Sequence, residues 1–324
     1  MKRREFAALT ALALAAPRAA FAQTKPRRIG FLGSGSAAAV IRPLEALREA
    51  LRGLGYIEGR TLAIEYRWGD GRFERLPALA AELLRLEVEL IAVWGTPGAL
   101  AAKRATSTVP IVMLSVGDPE ETGLVASLAR PGGNVTGMAN LGGAVVAKQL
   151  ELLKQVVPGL SRIAVLRNPG NPSLIPQAKG AEAGARALGL QYEFYDIRAA
   201  GDLQPAFTGM AKARTGGLLV LADPLFFTQG KLISDLALKH RLPAVTARSE
   251  LADQGLMIAY GSSTIEPFRA GAAYIDKILR GAKPADLPVQ QTVSFEFVVN
   301  LRTARTLGVQ FPPLLLTRAD RVIE

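Results

Sequence analysis

Arg130-Pro131-Gly132-Gly133-Asn134-Val135-Thr136-Gly137 separates two halves that repeat one pattern. On its N-terminal side, apolar runs over 28–32, 61–68, 89–94 and 110–114 read as strands. Between them, 41–54, 73–86 and 97–105 carry helical periodicity, with Gly55 closing the first helix and Pro97 in the first turn of the third. On its C-terminal side the order restarts. Helices over 145–156, 177–188, 203–213 and 229–240 alternate with strands over 162–166, 191–196, 217–221 and 242–246. Strand–helix units of about 30 residues bury each strand on both faces, so each half is read as an α/β, doubly wound parallel sheet. The Pro-Gly-Gly-Asn turn chemistry between them suits a crossover from one lobe to the other.

The remaining tail returns to the fold. It reads as a strand over 256–260, a helix over 266–279, a proline-rich connector over 283–288, a strand over 291–298 and helices over 301–307 and 313–322.

The first 22 residues stand apart. Lys2, Arg3 and Arg4 precede an apolar run from Ala7 to Ala16, and Ala20-Phe21-Ala22 has the small-x-small form of a cleavage site. Residues 1–22 are therefore predicted to be a signal peptide cleaved near Ala22, the run being too short to span a bilayer. Arg3-Arg4-Glu5-Phe6 leaves the twin-arginine route open beside general export. The chain has no cysteine, hence no disulfide and no thiol for an N-terminal lipid. An exported protein without an anchor needs an outer membrane to retain it, which predicts the periplasm.

The chain of 324 residues has a formal charge of +11, and +8 without residues 1–22. The basic residues are dispersed and not interleaved with aromatics, which reads as a solvated surface and excludes nucleic acid as a partner.

Open parallel sheets bind ligands beyond the carboxyl ends of their strands. That rule selects Gly33-Ser34-Gly35-Ser36, Trp94-Gly95-Thr96-Pro97 and Ser115-Val116-Gly117-Asp118-Pro119 in the first half. In the second it selects Asn168-Pro169-Gly170-Asn171-Pro172, Asp223-Pro224 and Ala247-Arg248-Ser249. Small residues let backbone approach a ligand, and helix N-termini offer free N–H groups to an anion. The same Ser36, Thr96, Asp118 and Asp223 serve equally well as helix caps. Aromatic residues are scarce; Trp94 ends a strand in one of these loops, and Tyr260, Phe226 and Phe227 lie near others.

Catalysis is poorly provided for. His240 is the only histidine and sits between Lys239 and Arg241 at a helix end. Without cysteine or a second histidine, neither a nucleophilic triad nor a zinc site is expected. Gly33-Ser34-Gly35-Ser36-Ala37-Ala38 has a dinucleotide-like glycine pattern, but the acid required about 20 residues later at the end of the second strand is missing. No cofactor and no metal are predicted.

Longer motifs carry a family resemblance. They are Gly55-Tyr56-Ile57-Glu58-Gly59-Arg60, Glu65-Tyr66-Arg67-Trp68, Gly117-Asp118-Pro119, the stretch from Thr122 through Arg130-Pro131-Gly132-Gly133-Asn134 to Gly137, Gly281-Ala282-Lys283-Pro284-Ala285-Asp286-Leu287-Pro288 and Ala319-Asp320-Arg321-Val322. Across the mature chain they resemble the ABC transporter substrate-binding proteins that include tryptophan and tyrosine uptake proteins. The resemblance implies a type I periplasmic-binding-protein fold, two Rossmann-like lobes joined by three crossover segments. Lobe one would comprise 25–136 and 254–287, and lobe two 137–253 and 288–324. It also implies a small-molecule ligand, aromatic or amino-acid-like, trapped by hinge closure, an inner-membrane ABC permease as partner, a monomer, and no enzymatic activity. A sensor subunit and an exported hydrolase are the alternatives. The expected ligand contacts are Ser34, Trp94, Gly95, Thr96, Ser115, Asp118, Asn168, Asp223, Arg248 and Tyr260. A carboxylate would meet Ser34 or the N–H groups around Thr96, an ammonium Asp223 or Asp118, and a ring Trp94. Arg248-Ser249-Glu250-Leu251, where Arg-Glu-Phe is common, and the single Gly255 before Leu256 depart from the family pattern and bear on ligand identity.

Overall fold

A computed structural model describes residues 26–140, 142–292 and 294–324; the predicted signal peptide lies outside the described residues. The strands are β1 Arg27–Gly33, β2 Leu62–Trp68, β3 Ile91–Trp94, β4 Ile111–Gly117, β5 Val135–Asn140, β6 Arg162–Arg167, β7 Gln191–Asp196, β8 Gly217–Val220, β9 Ala244–Thr246, β10 Ile258–Ser262, β11 Gln290–Gln291, β12 Phe295–Asn300 and β13 Arg321–Ile323. The helices are α1 Ile41–Gly53, α2 Leu76–Arg85, α3 Thr96–Ala105, α4 Gly142–Val156, α5 Leu174–Ala187, α6 Leu203–Lys212, α7 Pro224–Thr228, α8 Gly230–Lys239, α9 Ser249–Asp253, α10 Ile265–Leu279, α11 Leu301–Leu307 and α12 Pro313–Leu316.

The strands form two sheets, ordered β11-β5-β4-β3-β1-β2 and β13-β12-β10-β9-β8-β6-β7. Every pairing is parallel except β10 with β12. Helices cover both faces, so β3, β4 and β8 are buried along their whole length, which is why they read as continuous apolar runs rather than alternating ones.

The chain passes between the sheets after Asn140, after Ser262 and after Gln291. Residues 137–140 and 288–291 therefore lie with the first sheet and 258–262 with the second, each opposite to the lobe assigned from sequence. The Pro-Gly-Gly-Asn turn does not cross over; it feeds β5, which pairs with β4. Here Gly137 is required: its φ is 123°, and a Cβ would sit 2.3 Å from the Met113 carbonyl oxygen. Helix α10 returns to lobe one, its Phe268, Ala272 and Ile275 packing with Phe31, Leu47 and Leu114. The predicted single strand over 291–298 is thus two short strands, β11 and β12, in different sheets. The helix expected over 313–322 stops at Leu316, and Arg321–Ile323 pairs with β12 as a sheet edge.

Two irregularities lie where the sheets meet. The β3–β4 register shifts between Val93 and Trp94, and the β4–β5 register shifts between Met113 and Val116. Such shifts re-aim side chains, and here they fall beside Trp94 and Ser115, at the mouth of lobe one.

Candidate functional site

The lobes touch along the carboxyl ends of both sheets. The Ser36 N–H donates to Thr228 Oγ1 across the gap at 3.0 Å. A Cβ on Gly35 would meet the Trp94 ring at 2.8 Å and the Pro224 carbonyl oxygen at 2.9 Å. The Gly33-Ser34-Gly35 pattern is thus explained by close approach of the opposite lobe. The rings of Trp94 from lobe one and Phe227 from lobe two lie nearly parallel, with centroids 6.5 Å apart.

Between the lobes lies a cavity of ≈ 50 Å³. Lobe one supplies Trp94, Gly95, Thr96, Ser115, Gly117 and Asn140; lobe two supplies Gly142, Asn171, Ser173, Gln177, Ala222, Pro224, Phe227, Arg248 and Ser262; Ser263 and Thr264 come from the crossover segment that follows. A second hollow of ≈ 290 Å³ shares Phe227 and Arg248 and is otherwise lined by the start of α1 and by Glu250, Asp253 and neighbouring residues.

Arg248 is the one charged group in the inner lining among the described residues. It is 6% exposed, its guanidinium carbon lies 4.4 Å over the Phe227 ring, and its Nε is 3.6 Å from Glu250 Oε2. Its Nε and Nη2 are buried with no hydrogen-bond partner. Burial pulls the guanidinium below its usual pKa, and Glu250 works against that pull. Burial in turn raises the Glu250 carboxyl; Arg248 and the Thr264 hydroxyl, which donates to Glu250 Oε1 at 2.8 Å, outweigh it and hold the group below its usual value.

The residues expected from sequence divide. Trp94, Gly95, Thr96, Ser115 and Arg248 line the cavity. Ser34 does not: its Oγ accepts the Gly98 N–H at 2.8 Å, engaging a donor of the α3 N-terminus that was expected to meet a ligand. Thr96 is not the cap of α3, which is Gly95; its Oγ1 bonds both the N–H and the carbonyl of Gly117. Asp223 is fully buried and caps α7 through the Leu225 N–H. Its carboxylate also accepts from Asn168 Nδ2 at 3.3 Å and Asn171 Nδ2 at 2.8 Å. Burial pushes it up to about 6 despite those three bonds. Asn168 and Asp223 thus hold one another beneath the cavity floor.

Asp118 adopts φ 46° in the loop after β4. Burial, with Glu121 nearby, pushes its carboxyl up to about 6, and it lies outside the cavity lining. Tyr260 packs on Phe295 and Phe297 in lobe two. Phe227, one of the scarce aromatics near a strand-end loop, also lines the cavity; Asn140, Gln177 and 262–264 are lining residues the sequence reading does not select. The strand-end rule finds Asn140 and Ser262–Thr264 when applied to β5, which the sequence reading takes as a crossover turn, and to β10, which ends two residues beyond its expected end; Gln177 lies in the helix that begins three residues before its expected start.

Two facing α/β sheets with a polar-rimmed cavity built from both define a two-lobed small-ligand binding protein. Residues 36–323 match the family described as ABC transporter substrate binding protein. The chain belongs to that family, and its role is to bind a small solute. A tyrosine-binding protein of Clostridioides difficile (strain R20291) is 26% identical over 263 residues, covering 81% of this chain and 75% of that one. An ABC domain from Streptococcus pneumoniae in complex with L-Trp matches with a TM-score of 0.86 at 23% identity, covering 92% of this chain and 100% of that one. A ligand-free, open substrate-binding protein from Clostridium difficile matches with a TM-score of 0.64 at 24% identity, over 92% of this chain and 99% of that one. Among the described residues, no helix is long and apolar enough to cross a membrane.

Proposed function

We propose that the protein is the periplasmic receptor of an ABC importer, which traps one small ligand with a flat apolar body between its lobes and presents the closed form to the permease as a monomer. The observation that carries this reading is the shared cavity: Trp94, Thr96 and Ser115 on one wall and Phe227, Arg248 and Gln177 on the other converge on one space between the lobes. A ligand touching both walls favours the closed form by its differential affinity. The ligands of two relatives, tyrosine and L-Trp, support an aromatic body, and the near-parallel Trp94 and Phe227 rings suit one. The higher TM-score against the L-Trp complex than against the open form agrees with a hinge. Such a receptor releases its ligand unchanged.

Native mass spectrometry of the protein as purified from its host tests the reading. The expected result is a one-to-one adduct of a small organic molecule, lost after unfolding and refolding and recovered unaltered. A protein that carries no adduct and binds nothing from a metabolite extract would contradict it.

A further inference from the structure

The chemistry of the cavity wall is one-sided. None of the described lining residues is acidic. The neutral oxygens that could receive an ammonium are largely engaged. Asn171 Oδ1 accepts from both the N–H and the hydroxyl of Ser173. Gln177 Oε1 accepts from the Ala222 N–H, Ser263 Oγ from the Ile265 N–H, and Thr264 donates to Glu250. Ser115 Oγ already accepts from Asn140 Nδ2. Asp223, the acid best placed by sequence, is sealed beneath the floor by three bonds, and the acids Glu250 and Asp253 face the outer hollow.

The one charge among the described lining residues belongs to a donor. Arg248 presents a buried guanidinium whose Nε and Nη2 make no hydrogen bond, with Glu250 Oε2 3.6 Å from Nε as its ion-pair partner. Across the cavity stands the N-terminus of the ten-residue α3, whose Gly98 and Ala99 N–H groups are engaged by Ser34 Oγ and the Gly95 carbonyl. Pro97 has no N–H, so Thr96 supplies the open backbone donor of that first turn. Buried donors without partners are costly, and a guanidinium facing a backbone N–H is satisfied by a planar oxyanion.

Resting on the receptor reading above, we propose that the ligand of this chain is a small organic acid with a flat apolar body and no ammonium group, its carboxylate bound by Arg248 and its apolar body packed against Trp94 and Phe227. An α-amino acid would bring an ammonium into a wall that offers it no carboxylate and one cation.

Isothermal titration calorimetry on the full chain, stripped by unfolding and refolding, separates the charge classes. Benzoate, 4-hydroxyphenylacetate and indole-3-acetate probe the acids, L-tyrosine and L-tryptophan the zwitterions, and tyramine and tryptamine the amines. At least one acid is expected to bind about tenfold or more tighter than the matching zwitterion, with no saturable binding of the amines. Arg248→Gln is expected to weaken that acid by about tenfold or more while Arg248→Lys, which keeps the charge, retains more affinity; melting curves establish that both variants fold. Should neither variant fold, the ligand series on the unaltered chain decides alone. Zwitterions binding as tightly as the acids, or acid affinity untouched by Arg248→Gln, overturns the assignment. So does failure of every acid in a protein that carries another adduct by native mass spectrometry, an outcome that leaves the receptor reading standing. Failure of every probe in a protein without any adduct removes both.

Discussion

Replacing Asp223 with alanine is expected to weaken the fold rather than abolish ligand capture, by an amount that grows as the pH falls. Alanine removes the cap on the Leu225 N–H, worth about 1 kcal/mol. It also orphans the buried side-chain amides of Asn168 and Asn171, at about 1–2 kcal/mol each. Against this loss of about 4 kcal/mol stands relief from burying a carboxylate. The Asp223 pKa rises from 3.8 to about 6, so its charge costs the fold about 3 kcal/mol at neutral pH. A group whose pKa is raised in the fold stabilises fully below its unfolded value and loses that stabilisation as the pH climbs through the folded one. The variant should therefore be about 1–2 kcal/mol less stable at pH 7 and about 4 kcal/mol less stable near pH 4. Asp118, also pushed up to about 6, is present in both proteins and cancels in the difference. Urea denaturation of both chains at the two pH values measures it. A deficit that stays constant, or shrinks toward acid, would refute the assignment of Asp223 as a buried cap.

Phe227→Ala should cost roughly tenfold to hundredfold in ligand affinity by calorimetry, because its ring faces the cavity and Arg248, and should also lower the melting temperature, because the ring packs against the lobe-two core. Gly137→Ala should destabilise lobe one by about 3 kcal/mol or more in urea, since its Cβ would meet β4 backbone at a φ unsuited to alanine. Thr228→Val removes the acceptor of the cross-lobe bond from Ser36, worth about 1 kcal/mol or roughly fivefold in the open-to-closed ratio. The expected readout is a larger radius of gyration of the ligand-free protein in small-angle scattering, with no change in melting enthalpy.

The alternation of strands and helices was legible because parallel strands buried on both faces read as unbroken apolar runs, as Ile91–Trp94 and Ile111–Gly117 do. What lacked a local signal was the return of the chain between lobes. Nothing in the pattern of 291–298 marks the step from one sheet to the other, and Arg321–Ile323 becomes a strand only through its pairing with Val298, Val299 and Asn300. The candidate site was half legible for a related reason. The strand-end rule reaches Trp94, Gly95, Thr96, Ser115 and Arg248 at the cavity wall. It selects Ser34, Asn168 and Asp223 equally, since short polar side chains that would grip a ligand also cap helices and tie loops, and here the internal partners engage them. That Arg248 would be the buried cation without a hydrogen bond depends on the shut lobes and has no signature in sequence.

The absence of cysteine makes the central claim directly measurable. Ala37→Cys on lobe one and Ile175→Cys on lobe two, both at exposed positions, accept a pair of spin labels whose separation is read by pulsed dipolar spectroscopy. Protein stripped of its solute should show a longer and broader distance distribution than protein as purified, and readdition of the co-purified molecule should restore the short one. Identical distributions in the stripped, native and reloaded samples would contradict capture by closure of the two lobes.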